Sequence, residues 1–183
     1  MTMDRQFRDV GYRPSELQHE YGEEVHIQSD PVALSWLARL CSPEVGQPQF
    51  NRLITKLYRG LLSHVVNTEF PRTTEEIPSR MRTSTERGVY RGEIVDPSTS
   101  VVTVDVARAG MVPSNLCYES LTELLKPKNV RQDHLFMSRT TDEEGNVTGA
   151  KLSGEKVGGA IDGAIVLFPD PMGATGASMS NAL

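Results

Sequence analysis

Apolar residues recur with helical spacing in two segments near the start of the chain. The first helix is predicted to begin at Asp30-Pro31, because aspartate accepts from the free amides of a first turn and proline suits the first helical position. Its apolar face comprises Leu34, Leu37, Leu40 and Cys41. A longer repeat at spacings of three and four predicts the strongest helix of the chain. Its apolar positions are Phe50, Leu53, Ile54, Leu57, Leu61, Leu62 and Val65.

The pattern changes from helical spacing to β-type runs after residue 71. We interpret Pro71 to Pro78 as a linker. Met81 to Thr85 and Val89 to Val95 are predicted to form a hairpin around Glu86-Arg87-Gly88. Ser100 to Val106 is β-branched and apolar enough for an interior strand of a parallel sheet.

One helix and two more strands complete the pattern. Ser114 to Leu125 predicts a helix, His134 to Ser138 a strand, and Ala164 to Phe168 a last strand before a helix start at Ala177. Thr140 to Ser153 is expected to be a polar excursion with a turn at residues 144–146. This order predicts an open, mostly parallel α/β sheet with flanking helices, in which ligands bind beyond the carboxyl ends of the strands. We expect a polar arm over residues 1–29 and one domain over residues 30–183.

Composition narrows the classes of partner. The 183 residues carry a net charge of −5, which gives no basic field for nonspecific nucleic-acid binding. The longest apolar stretch, Gly163 to Phe168, is far too short to span a bilayer. We therefore expect a soluble, cytoplasmic protein that binds neither nucleic acid nor membrane. Neither the histidines nor the cysteines have metal-ligand spacing, and Cys41 and Cys117 are expected to be small buried residues.

The loop after the last strand has the composition of a phosphate site. Small residues at a helix N-terminus let a phosphate approach unpaired amides and the positive end of the helix dipole. Thr175 and Ser178 add hydroxyl donors, and Asp170 suits sugar hydroxyls. The loop is predicted to hold a ribose 5-phosphate, the alternative being a glycine-rich turn without a ligand. It comprises Asp170, Pro171, Met172, Gly173, Ala174, Thr175, Gly176, Ala177 and Ser178.

This loop resembles the D-P-M-x-A-T-G-x-S signature of uracil phosphoribosyltransferases, which belong to the type I phosphoribosyltransferases. The replacements fall at Gly173 and Ala177. By this resemblance the loop binds phosphoribosyl diphosphate (PRPP). The lysine and the glycine spacing of a Walker A motif are absent.

Two further loops resemble the pyrophosphate-binding segments of the same family. Arg108-Ala109-Gly110, after the central strand, is similar to its L-R-A-G-L loop. A buried arginine without an anionic partner would be costly, so Arg108 is expected either to bind the ligand or to pair with Asp105. Arg139 lies in a segment similar to the family's M-Y-R-x-E, with Ser138 in place of tyrosine. The resemblance implies that Arg139 is a second pyrophosphate ligand on a mobile excursion, whose Lys151 either matches a family lysine or is solvated.

The resemblance implies a reaction in which uracil attacks C1 of PRPP and pyrophosphate leaves, giving UMP in pyrimidine salvage. It implies Mg²⁺ chelated mainly by PRPP oxygens, without dedicated protein ligands, and a homodimer or larger homo-oligomer. The alternative is a non-catalytic PRPP or nucleotide sensor, or an interaction protein, because fold alone does not fix function. The departures at Gly173, Ala177 and Ser138 and the lack of a base-binding segment in this chain favour that alternative.

Family members continue beyond the phosphate-loop helix and end in a G-L-G-D-x-G-D segment that holds uracil through backbone contacts. No residue of this chain is therefore assigned to the base. We expect the chain to be a piece of a longer protein, or to be completed by another chain, or to be a degenerate relative. Without the additional strands, one edge of the sheet would be uncovered.

Overall fold

Two helices begin the described part of the chain, as the apolar repeats predict. The computed structural model describes residues 11–141, 144, 147–173, 176 and 179–180. Helix α1 spans Pro31–Leu40 and helix α2 spans Gln49–Glu69. The Asp30 Oδ1 atom accepts from Ala33 N at 2.8 Å, which confirms the predicted start of α1. No helix within the described residues is long and apolar enough to cross a membrane.

An antiparallel hairpin follows α2, but its first strand lies earlier in the chain than predicted. Strand β1 spans Arg72–Pro78 and pairs with β2, Val89–Val95. The segment interpreted as a linker is thus a strand. Residues 81–85, predicted to be a strand, form turns in which two backbone amides donate to the Met81 carbonyl. The sequence pattern did not predict strand β1, because most of its residues are exposed. A solvated strand does not need alternating apolar and polar residues.

A four-stranded sheet forms the centre of the fold, with the strand order β5-β4-β3-β6. Strand β3 runs parallel to both of its neighbours, whereas β5 is antiparallel to β4. Helix α3, Met111–Leu124, and a 3-10 turn at Pro127–Asn129 connect β3 to β4. The predicted open, mostly parallel α/β sheet with flanking helices is confirmed. The strands are β3 (Val101–Ala107), β4 (Val130–Thr141), β5 (Val147–Lys156) and β6 (Ile165–Leu167).

The polar excursion predicted at Thr140 to Ser153 includes the end of β4 and most of a further strand, β5, that the sequence did not predict. Strand β4 continues to Thr141, and β5 pairs with it from Val147 onward. Residues 151–153 of β5 are exposed, so this strand needs no apolar pattern to form. Of the turn predicted at residues 144–146, only Glu144 belongs to the described residues, and it lies in a turn.

The core lies on both faces of β3. Helices α2 and α3 cover one face, where Val101 packs against Leu121, which has no exposed surface. On the other face, Val102 and Val104 pack with Leu135 of β4. Burial on both faces agrees with the prediction of an interior strand.

The two cysteines differ in burial. Cys117 of α3 is 3% exposed and belongs to the core, as predicted. Cys41 is exposed, so that prediction was wrong. The reason is that none of the residues of α1 is buried, although its apolar residues share one face.

Part of the N-terminal arm packs on α2 through a polar cluster. The Glu16 Oε1 atom accepts from His64 Nε2 at 2.9 Å and from His26 Nδ1 at 3.1 Å, and the Tyr12 hydroxyl lies 3.2 Å from His64 Nδ1. Burial would raise the pKa of Glu16, but the bonds from the two histidines outweigh it and hold that pKa below its ordinary value. His64, 4% exposed, is therefore a satisfied core histidine.

Candidate functional site

The loops after β3 and β6 meet beyond the carboxyl ends of these two neighbouring strands. Because β3 and β6 are parallel, both loops leave the sheet on the same side. A Cβ atom added to Gly110 would lie 3.2 Å from the Pro169 carbonyl oxygen and 3.0 Å from the Val106 nitrogen. The lack of a side chain at Gly110 thus lets the predicted pyrophosphate loop approach the predicted ribose-phosphate loop closely.

Arg108 extends from an exposed loop and not from a buried strand. The Gly110 amide donates to the Val106 carbonyl at 3.0 Å, and the Met111 amide donates to the Arg108 carbonyl at 3.2 Å. The Ala107-Arg108 peptide bond is cis. Arg108 and Ala109 are both exposed, so the expected burial of Arg108 is wrong.

The Arg108 guanidinium makes no hydrogen bond or ion pair with any residue that the structure describes. The alternative in which it pairs with a nearby carboxylate such as Asp105 is also wrong, because Arg108 makes no ion pair with a described residue and the Asp105 Oδ1 atom bonds to His134. An exposed guanidinium without a protein partner is open to an anionic ligand.

The predicted ribose-phosphate loop is described in part. Asp170 is half-buried, and its Oδ1 atom accepts from Met172 N at 2.9 Å. Pro171 is half-buried as well, while Met172, Gly173 and Gly176 are exposed. Gly176 has a φ of 73°, a left-handed conformation that favours glycine.

The centre of that loop lies outside the described residues. These positions are Ala174, Thr175, Ala177 and Ser178. Beyond them, Met179 and Ser180 are helical, and the Ser180 amide donates to the Gly176 carbonyl at 2.9 Å. Helical backbone is thus present at residues 179–180, whereas the predicted helix start at Ala177 and the phosphate cradle lie outside the described residues.

Arg139 lies in the β4–β5 hairpin, where it pairs with Ala150 across the strands. Strand β3 ends at Ala107, opposite Phe136, so Arg139 lies three residues, or about 10 Å, further along β4. Its side chain is outside the described part of the structure. The Ser138 hydroxyl donates to the Lys151 carbonyl at 3.4 Å, and both residues are exposed.

Sequence reasoning missed a buried polar pair beneath the candidate site. Asp105 has no exposed surface, and its Oδ1 atom accepts from His134 Nδ1. The Asp105 Oδ2 atom and the Thr103 hydroxyl, on the same face of β3, have no partner among the described residues. An aspartate inside a β-branched run was the available signal. Its partner follows only from the register of β3 and β4, which aligns Asp105 with His134.

Polar groups lie at the strand ends, and the described residues contain no cluster of metal-ligating side chains. No three His, Cys, Asp or Glu side chains among them lie close enough to share a metal ion. The donors at the strand ends are an arginine and backbone amides, and the acceptor is the Asp170 carboxylate. Such a set suits phosphate and sugar hydroxyls.

Comparison with known proteins supports the fold alone. A scan against protein-family models finds no match for this chain, and a search of curated proteins finds none either. Among solved structures, the chain is similar to the AQ2163 protein of Aquifex aeolicus, with a TM-score of 0.62 and 18% sequence identity. The match covers 84% of this chain and 65% of that chain, so this chain spans less than two thirds of that neighbour. Likeness at this identity shows that the two share an open α/β fold.

Proposed function

We propose that this protein binds PRPP at the carboxyl ends of β3 and β6 and transfers the phosphoribosyl group to uracil. The observation that carries the proposal is the close approach of Gly110 to Pro169, which joins the two loops. Each loop resembles a different PRPP-binding segment of one family. Their adjacency at the sheet edge where ligands bind in such folds supports a single shared ligand.

The predicted site residues divide among three roles in this proposal. Arg108, with the amides of Ala109 and Gly110, neutralises the pyrophosphate, and Arg139 adds a second positive charge from the hairpin. Asp170 uses the carboxylate oxygen that does not bond to Met172 to accept from the ribose hydroxyls. Ala174, Thr175, Gly176, Ala177 and Ser178 bind the 5-phosphate. Pro171, Met172 and Gly173 complete the loop between the ribose and the phosphate.

The reaction forms a bond between a ring nitrogen of uracil and C1 of the ribose, and it breaks the bond from C1 to a pyrophosphate oxygen. The proton of the ring nitrogen passes to solvent or to the leaving group. The transition state has oxocarbenium character, so the protein's part is to hold PRPP, neutralise the leaving group and exclude water. Mg²⁺, chelated mainly by PRPP oxygens, neutralises further charge on the leaving group when it is bound.

We also propose a cytoplasmic homodimer or larger homo-oligomer. The β1–β2 hairpin exposes the cross-strand partners Ile77 and Tyr90, which are 46% and 47% exposed. Adjacent exposed apolar side chains on such an arm support contact with another subunit. Sedimentation of the wild type and of Tyr90→Ser tests this, and a monomeric wild type contradicts it.

Incubation of the protein with PRPP, Mg²⁺ and uracil, followed by measurement of UMP, tests the catalytic proposal. We expect UMP only when all three are present. Calorimetry with PRPP provides the second readout. PRPP binding without UMP selects the non-catalytic sensor, which the departures at Gly173, Ala177 and Ser138 favour. The absence of both signals contradicts both functions.

A further inference from the structure

His64 and His134 are both bonded to a carboxylate, but they differ in what their second ring nitrogen meets. The Glu16 carboxylate and the Tyr12 hydroxyl occupy the two nitrogens of His64, which is 4% exposed. The side chain of His134 is 34% exposed, and only its Nδ1 atom has a partner in the part of the chain that the structure describes, the Asp105 carboxylate. Its Nε2 atom is not among the enclosed atoms that lack partners, so it faces accessible space.

Asp105 fixes the orientation of that imidazole from inside the sheet. It has no exposed surface, and its Oδ1 atom accepts from His134 Nδ1. A carboxylate bonded to one ring nitrogen sets the direction in which the other nitrogen points. A buried carboxylate needs a positive partner, so a proton on both nitrogens of His134 stabilises the pair and makes Nε2 a donor. Because Asp105 is enclosed, a ligand meets the imidazole and not the carboxylate.

The register of the sheet brings His134 close to the predicted pyrophosphate loop. His134 is aligned with Asp105, which lies two residues before Ala107 at the end of β3. Two residues of a strand span about 7 Å, and Arg108 follows Ala107 directly. Arg139 lies about 10 Å beyond the end of β3. Along the strand direction, His134 is therefore nearer to this loop than Arg139 is.

The charges around His134 favour an anionic ligand. Lys156 of β5 is its cross-strand partner, so the two side chains lie on the same face of the sheet. Lys156 is exposed, and like Arg108 it forms no ion pair with a residue in the described ranges. Three donors that carry positive charge thus lie at this end of the sheet without exposed carboxylate partners. Such a set suits an anion with several negative charges.

We infer that His134 is a further donor to the pyrophosphate group, with Nε2 donating to a pyrophosphate oxygen and Asp105 positioning the ring. The inference rests on the proposed function and adds two residues that lie outside all three candidate loops. It also accounts for an ionisable residue in the middle of an apolar strand. Asp105 leaves its Oδ2 atom without a partner among the described residues, and such departures from local rules are expected at functional sites.

His134→Asn separates this role from a structural one. The asparagine amide nitrogen replaces Nδ1 as the donor to Asp105, whereas no group replaces Nε2. His134→Gln is the conservative counterpart, because its longer side chain places an amide nitrogen near the position of Nε2. His26→Asn is the matched control, since His26 also bonds through Nδ1 to a carboxylate, that of Glu16, but lies in the N-terminal arm.

Each protein is titrated by calorimetry, in the presence of Mg²⁺, with inorganic pyrophosphate, with ribose 5-phosphate and with PRPP. We expect His134→Asn to bind pyrophosphate about tenfold more weakly than the wild type, as for one lost hydrogen bond to a charged group. Its affinity for ribose 5-phosphate should be unchanged. His134→Gln should recover part of the pyrophosphate affinity, and His26→Asn should match the wild type. In nitrogen NMR spectra, pyrophosphate should shift the Nε2 resonance of His134 and leave that of His26 in place.

Wild-type pyrophosphate affinity in His134→Asn, or an unmoved Nε2 resonance when pyrophosphate binds, overturns the inference and leaves the proposed function standing. Thermal unfolding of the same variants detects a purely structural role. A lower midpoint in His134→Asn together with equal losses of pyrophosphate and ribose 5-phosphate affinity also overturns the inference. If the wild type binds neither pyrophosphate nor PRPP, the proposed function and the inference both fail.

Discussion

Arg131 and Arg108 lie at opposite ends of two neighbouring parallel strands, and they differ in how their charges are satisfied. Arg131, near the amino end of β4, donates to the Asp133 carboxylate through Nε at 3.0 Å and Nη2 at 2.9 Å. It also donates to the carbonyls of Gly159 and Ala160 at 3.0 and 3.2 Å. Arg108, beyond the carboxyl end of β3, has no such partner among the residues described.

This difference separates a structural charge from a candidate binding charge. Asp133 is 2% exposed and also accepts from the Gly158 amide at 3.0 Å. Arg131 and Asp133, both in β4, thus hold in place the segment that connects β5 to β6. Arg108 makes no such bonds with the described residues, so removing its side chain should weaken ligand binding and leave the fold unchanged.

Asp133→Ala should have the largest effect on stability. It leaves the Arg131 guanidinium, which is 29% exposed at its side chain, without its carboxylate, and breaking such a pair costs about 3 kcal/mol. Urea denaturation measures the loss in the free energy of unfolding. Glu76→Ala, which breaks the exposed pair with Arg91, is the control and should leave the midpoint unchanged. Equal midpoints for both variants contradict the structural role of Arg131.

Arg108→Ala should have the opposite signature. The free energy of unfolding should change by less than about 0.5 kcal/mol. PRPP affinity, measured by calorimetry, should fall about 10- to 100-fold, because hydrogen bonds to a charged group are lost. Arg80→Ala, at an exposed arginine in the β1–β2 connection, should bind PRPP like the wild type. Wild-type affinity in Arg108→Ala would remove this arginine from the site.

Gly110→Ala should disturb the close approach of the two candidate loops. Gly110 has a φ of −73°, which alanine adopts freely, so the cost comes from contacts with Val106 and Pro169 and amounts to about 1 to 2 kcal/mol. Thermal unfolding and PRPP binding should both be impaired. Gly60→Ala, in α2 with no atom near its added Cβ, should instead stabilise the protein slightly. Wild-type thermal stability and PRPP affinity in Gly110→Ala would show that the two loops need not approach so closely.

Glu16→Gln should produce the smallest effect, a loss of stability that is present at neutral pH and disappears as the pH becomes acidic. The depressed pKa of Glu16 means that its contribution is present above its usual value of 4.5 and is lost as pH falls through the lower folded value. The unfolding midpoint of Glu16→Gln should therefore fall less steeply between about pH 5 and pH 3 than that of the wild type. Glu24→Gln, on the exposed arm, serves as the control. Parallel pH profiles for all three proteins contradict the role of Glu16 in holding the arm.

The sequence predicted the buried elements better than the exposed ones. The repeat over Phe50 to Val65 lies within α2, and Ser100 to Val106 matches β3 within one residue, because both segments bury apolar side chains at fixed spacing. Strands β1 and β5 were missed, since their residues are largely exposed and their pairing comes from the backbone.

The candidate site was predictable loop by loop. Arg108 and Asp170 each follow a strand that the apolar pattern predicts, so both were expected at carboxyl ends. The contact of Gly110 with Pro169, the exposure of Arg108 and the pairing of Asp105 with His134 were not predictable. Each of these depends on which strands are neighbours and in what register.

The amino-acid sequence by itself determined the principal helices, the interior strand and the order of the chemically distinctive loops, because the spacing of apolar residues records which face of each element is buried. Only the tertiary structure decided which loops meet and which charges are satisfied. Asp105 finds its partner 29 residues away, and Arg131 finds a carbonyl partner at the same separation. Such partners are fixed by strand order and register, which local spacing does not encode.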